Sequence, residues 1–142
     1  MHPVLRKILA VVAGIFCGGF LNSTLLKIGQ RIYPLPPGAN MSSFEQIKVS
    51  MPLLMTENFV TVFLAHALGT FFGAFVAAKI YKEYGFRCAM IVSSFFLIGG
   101  IIMVVAVGGP IAFILTDLFF AYLPMGWLGY KFSKPITAQQ PD

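Results

Sequence analysis

Residues Phe59 to Ile80 read FVTVFLAHALGTFFGAFVAAKI. The run is apolar almost throughout, with a histidine inside it and a lysine at its edge. It shows no period-two alternation and turns no polar face toward water. A helix of about 20 such residues matches the hydrocarbon thickness of a bilayer. Three further runs have the same character: about Val4 to Ile28, Cys88 to Val107 and Ile111 to Tyr130. Backbone groups in lipid must be satisfied within their own segment, so each run is predicted to be a transmembrane helix. The fold class is therefore all-α, a four-helix transmembrane bundle.

Composition points the same way. The chain has 142 residues, room for one domain, and is 58% hydrophobic and 11% charged. Soluble domains run near 45–50% apolar and about 25% charged. With a mean hydropathy of +0.84, too few polar residues remain to cover a water-facing surface, so lipid is the main solvent. The net charge of +5 does not mark a nucleic-acid binder, because the basic residues sit at span ends and form no stripe.

The first apolar run is longer than the roughly 7–15 residues of a signal-peptide core and precedes no small-residue cleavage pattern. Phe16 before Cys17 also opposes lipoprotein cleavage, so a retained span is expected. Cys17 and Cys88 form no C-x-x-C pair and are expected to be small buried residues.

Arg6, Lys7, Lys79, Lys82, Arg87, Lys131 and Lys134 would share one side, against Lys27, Arg31 and Lys48 on the other. Seven against three predicts both termini in the cytoplasm. The loop of about residues 29–57 opens with stiff Tyr33-Pro34-Leu35-Pro36-Pro37-Gly38. Ser42 and Glu45 then have capping-box spacing, and Phe44, Ile47 and Met51 recur at roughly helical spacing. A short amphipathic helix is expected, lying on the outer membrane surface or over the bundle mouth, and stopped or kinked by Pro52. Gly108-Gly109-Pro110 makes spans 3 and 4 an antiparallel hairpin. A transmembrane domain over residues 1–132 and a disordered polar tail over 133–142 complete the plan.

Small residues mark where helices meet. Ala10, Gly14, Gly18 and Asn22 recur every four residues on span 1, and Ala65, Gly69, Gly73 and Ala77 do so on span 2. Such stripes let backbones approach closely, and two on sequential helices most simply face each other. Pro124 should kink span 4. Trp127 and Tyr130 suit an interfacial belt. Ser93 and Ser94 read as packing hydroxyls.

Few polar groups lie inside the spans. Asp117 is the one acidic residue deep in a span, where a carboxylate costs about 2.5–3.5 kcal/mol on insertion scales. His66 lies about seven residues into span 2 and Asp117 about six into span 4, so both fall about 10 Å below the outer boundary. Asn22 occupies the outer half of span 1 and can converge with them. Thr70 lies one turn below His66, Tyr122 farther down span 4, and Glu57 at the outer end of span 2. In apolar surroundings burial favours the neutral forms of an acid and an imidazole, and mutual attraction favours the charged ones. A His–Asp pair there can exchange a proton near neutral pH. Two readings stay open: a proton-responsive or substrate-binding site at Asp117, His66, Asn22, Thr70 and Tyr122, or an interhelical lock. No cofactor is expected. A metal site would need three or four ligands, and His2 and His66 are the only histidines. No nucleophile elbow supports a Ser–His–Asp enzyme.

Tyr33-Pro34-Leu35-Pro36, Ala65-His66-Ala67-Leu68-Gly69-Thr70, Leu97-Ile98-Gly99-Gly100 and Asp117-Leu118-Phe119-Phe120-Ala121-Tyr122-Leu123-Pro124 resemble segments of a group of small four-span bacterial membrane proteins without assigned activity. The resemblance covers most of the chain and implies a bacterial inner membrane. The chain is also similar to small multidrug transporters in size and span count, but it lacks the membrane glutamate of their first span. The expected function is a small transporter or transporter subunit, working as a homo-oligomer or with another membrane protein on a small-molecule or ion substrate. The alternative is a scaffold, assembly or regulatory subunit docking other helices through its glycine faces.

Overall fold

The computed structural model describes residues 2–135. Its helices are α1 (Pro3–Ile32), α2 (Phe44–Ser50), α3 (Thr56–Ile80), α4 (Gly85–Val107), α5 (Ile111–Phe120) and α6 (Leu123–Ser133). Short 3-10 turns cover Met51–Leu53 and Lys82–Tyr84, and no strand occurs among the described residues. Four helical stretches are long and apolar enough to cross a membrane: α1, α3, α4 with the turn before it, and α5 with α6. They begin or end a few residues beyond the predicted runs, because helix continues past the hydrocarbon-length core into polar flanks such as Gln30-Arg31.

The burial pattern is that of a membrane protein. The interior is built mostly from small residues, including Ala10, Ala65, Ala74 and Ala77, whereas Phe16, Phe20 and Val105 are 75%, 78% and 82% exposed. In water such a surface would be an aggregation liability; in lipid it is the solvated face. The two small-residue stripes do face each other. A Cβ on Gly14 would lie 2.6 Å from the Gly73 carbonyl oxygen, and one on Gly18 would lie 2.6 Å from that of Gly69. Gly29 and Thr61 extend the same seam toward the loop end. The fourth span packs by a further small series that the sequence reading did not single out: Gly126 abuts Ser93 of α4, and Gly129 abuts the Phe71 carbonyl of α3. Ser93 is buried and bonds its own helix at Ala89, whereas Ser94 is exposed. Cys88 is buried, but Cys17 is only half-buried on α1.

The fourth span is broken rather than kinked at Pro124. α5 ends at Phe120, Ala121 and Tyr122 leave the helix, and α6 restarts with Pro124 in its first turn. The break falls N-terminal to the proline because the ring displaces the carbonyl four residues earlier, that of Phe120, and offers it no N–H.

At the loop end, Ser43 rather than Ser42 caps α2, its Oγ accepting from Gln46 N at 3.3 Å. Ser42 instead donates its N–H to Asn40 Oδ1. Pro52 sits in the 3-10 turn that ends α2, and α2 lies against the end of α4. At the opposite end, cations cover aromatic rings: Arg6 over Tyr81 at 5.1 Å, Lys131 over Trp127 at 5.0 Å and Lys134 over Tyr130 at 4.5 Å. Amphipathic rings and snorkelling cations belong at a membrane–water boundary. α6 extends through Ser133, one residue into the expected tail; residues 136–142 of that tail lie outside the described residues.

Candidate functional site at the break in the fourth span

Asp117 is the only buried residue of α5, at 3% exposure. The rest of the half-helix is half-buried or turned outward, as Leu115 and Phe119 are. Apolar contacts of partly buried side chains, Phe113 on Phe59 and Leu118 against Ala67 and Tyr122, surround this one buried polar anchor. His66 Nδ1 on α3 lies 2.9 and 3.0 Å from the two carboxylate oxygens of Asp117. The Tyr122 hydroxyl, from the far side of the break, donates to Oδ2 at 2.9 Å. Its oxygen also lies 3.0 Å from His66 Nδ1. This is the one ion-pair contact among the described residues.

The hydrogen inventory constrains the protons. A carboxylate can only accept, and the phenol and Nδ1 are the groups aimed at it. With Asp117 ionised, Nδ1 must carry a hydrogen, which leaves Nε2 of a neutral His66 as a lone pair. Nε2 has no hydrogen-bond partner among the described residues.

Tyr122, grouped with the site by sequence although farther down span 4, is brought onto Asp117 by the break. A continuous helix would carry it onward along the span; the break at Ala121–Tyr122 lets its hydroxyl reach back. α4 makes room for it. A Cβ on Gly100 would sit 2.5 Å from the Tyr122 hydroxyl oxygen, so only glycine allows the phenol to lie against that backbone. Gly100→Ala is expected to push the phenol off the carboxylate and cost about 1–3 kcal/mol for the buried acceptor left short of a donor. Denaturant titration in mixed micelles, read by circular dichroism, measures it.

Asn22 and Thr70 join the site differently. Neither bonds His66 or Asp117. Together with His66, Tyr122, Phe96, Gly99, Gly100 and Met103 they line a cavity of about 210 Å³ between α1, α3 and α4. Asn22 Oδ1 and Thr70 Oγ1 are buried there with no hydrogen-bond partner. Glu57 lies apart, exposed near the start of α3. The α4 wall escaped the sequence reading because Phe96, Gly99, Gly100 and Met103 look like ordinary span residues. The paired glycines in mid-span were the available signal. Among the described residues no group of three His, Cys, Asp or Glu side chains is placed to hold a metal ion.

Comparison of the chain with protein-family models, curated proteins and solved structures finds no match.

Proposed function

We propose that this chain is a small transporter, or a subunit of one, in a bacterial inner membrane, in which His66, Asp117 and Tyr122 bind a proton and couple it to the position of α5. The observation that carries this reading is the place of the carboxylate. It is buried at the break of a discontinuous span, beside a cavity lined by unpaired polar atoms. Interrupted helices at mid-membrane are where transporters build substrate and ion sites, because free backbone and a hinge occur together there.

The chemistry is a relay. A proton arriving at Nε2 of His66 makes an imidazolium. The hydrogen on Nδ1 can then pass to the carboxylate, 2.9 Å away, leaving neutral Asp117 and an Nε2–H imidazole. One proton has been added and the net charge of the cluster has risen from −1 to zero. Because Asp117 is the buried anchor of α5, that change alters the bond that holds the half-helix down. The seven basic residues at the end that carries both termini support a cytoplasmic placement for it, with the site in the outer half. Four helices rarely enclose a substrate path by themselves, so this reading requires an oligomer.

A second reading has its own support: a carboxylate so dry and fully bonded also serves as an interhelical lock in a scaffold. The glycine faces that would dock a partner in that reading are, however, filled by each other in the α1–α3 seam. Water access separates the two. Treated with a water-soluble carbodiimide and an amine nucleophile, the protein is expected to carry a label at Asp117 by mass spectrometry, increasing toward pH 5. Absence of label from pH 5 to 8 in folded protein would favour the lock.

A further inference from the structure

We propose that the cavity beside the relay binds a primary ammonium group, R–NH3+, and that this cation and the relay proton exclude one another. The inference rests on the proton-site reading above and adds the chemical class of the ligand. Three polar atoms on residues that line the cavity lack a hydrogen-bond partner among the described residues. Thr70 Oγ1, on a residue 1% exposed, and Asn22 Oδ1 are buried without partners. His66 lines the same cavity, and with its Nδ1 committed to Asp117 its remaining polar atom is Nε2. In the Nδ1–H state all three can accept. A primary ammonium carries three N–H donors and no acceptor, which makes it the complement of that set.

Charge agrees. No lysine or arginine lines the cavity, and the Asp117 carboxylate lies directly behind His66 in a low-dielectric interior, so a cation is favoured and an anion repelled. The rest of the lining suits a short organic arm. Phe96 and Tyr122 bring aromatic rings to the lining, and Met103 offers an adaptable apolar wall. At about 210 Å³ the cavity lies below the roughly 300–1,000 Å³ of drug-sized pockets, so the ligand is small.

The pH coupling follows from the tautomers. Proton loading turns Nε2 from an acceptor into a donor and neutralises the carboxylate, removing one hydrogen bond and the attraction at once. The groups facing His66 are Asp117 from α5 and Tyr122 from the break; α1 and α4 contribute only uncharged Asn22, Phe96, Gly99, Gly100 and Met103. No other titratable group there can account for a pH dependence.

The test is calorimetric titration of the detergent-purified full chain at pH 5, 6.5 and 8 with propylammonium, propyltrimethylammonium, propionate and 1-propanol. Propylammonium is expected to bind saturably at pH 8 and to weaken toward pH 5. The trimethyl analogue keeps the charge but has no N–H, and should bind about tenfold more weakly or less; propionate and propanol should not saturate. Thr70→Val and Asn22→Leu should each weaken propylammonium about tenfold. Gly99→Val supplies a variant that folds, since Gly99 lines the cavity and a Cβ there meets nothing within 4 Å, and the added bulk at this wall should weaken binding. Equal binding of the trimethyl analogue, saturable binding of propionate, or full binding by Gly99→Val overturns the ligand assignment. So does absence of propylammonium binding at pH 8, which would mean that water alone fills the cavity. Proton uptake measured on the same samples keeps the two readings apart. Proton uptake without amine binding sinks the ligand class only. Amine binding that is independent of pH and survives Asp117→Asn sinks the proton coupling and leaves the cation site.

Discussion

Gly73→Leu is expected to unfold the bundle or cost at least about 3 kcal/mol, the upper end for overpacking a tight interface. A Cβ at this position already lies 2.6 Å from the Gly14 carbonyl and 3.2 Å from the Gly18 Cα and a Val92 methyl. These atoms belong to α1 and α4, so no flexible side-chain end can swing aside, and α1 would have to separate from α3 along the seam. Gly19→Leu is the internal control. A Cβ there meets nothing within 4 Å, so the change should fall within about 0.5 kcal/mol. Denaturant unfolding of the two variants in mixed micelles compares them. If Gly73→Leu is as stable as Gly19→Leu, the seam is not the foundation of the fold.

His66→Ala is the second large effect. It removes the nitrogen facing both oxygens of Asp117 and leaves a buried carboxylate with the Tyr122 hydroxyl alone. An interhelical hydrogen bond inside a membrane is worth about 0.6 kcal/mol on average. Stranding a buried charge costs about 3–5 kcal/mol. The size of the loss therefore separates an ordinary interhelical bond from a buried carboxylate left short of its donor, and a loss of about 3 kcal/mol is expected. Asp117→Asn keeps a similar shape without the charge and should lose much less, as should the double variant relative to the sum of the single ones. Because Asp117 is the only buried side chain of α5, the amides of that half-helix should exchange with solvent faster in His66→Ala while those of α6 keep their protection. Equal protection in both half-helices would mean that Asp117 is not the anchor of α5.

Much of this arrangement was legible in the residues. Lipid demands about 20 apolar residues per span, so FVTVFLAHALGTFFGAFVAAKI could hardly be anything else. The four-residue spacing of small side chains located the α1–α3 seam, because glycine repeats have a geometric meaning on a helix face. Matching depths brought His66 to Asp117 through nothing more than helical rise. Tyr122 belonged to the predicted site, but how it reaches Asp117 was not legible. Its depth was counted along an unbroken helix, and the proline effect was assigned to Pro124 itself rather than to the turn before it. Gly100 was passed over because its role is relational. Its missing side chain matters only once the Tyr122 hydroxyl is known to lie against it. The cavity likewise needs three helices in register, which no single run discloses.

The most direct measurement is proton uptake by the detergent-solubilised protein, followed with a pH indicator as a weakly buffered sample is taken from pH 8 to pH 5. Wild-type protein is expected to take up close to one proton more than folded Asp117→Asn across that range. Superimposable titrations of wild-type and folded Asp117→Asn would contradict the account, leaving His66, Asp117 and Tyr122 as a lock between helices.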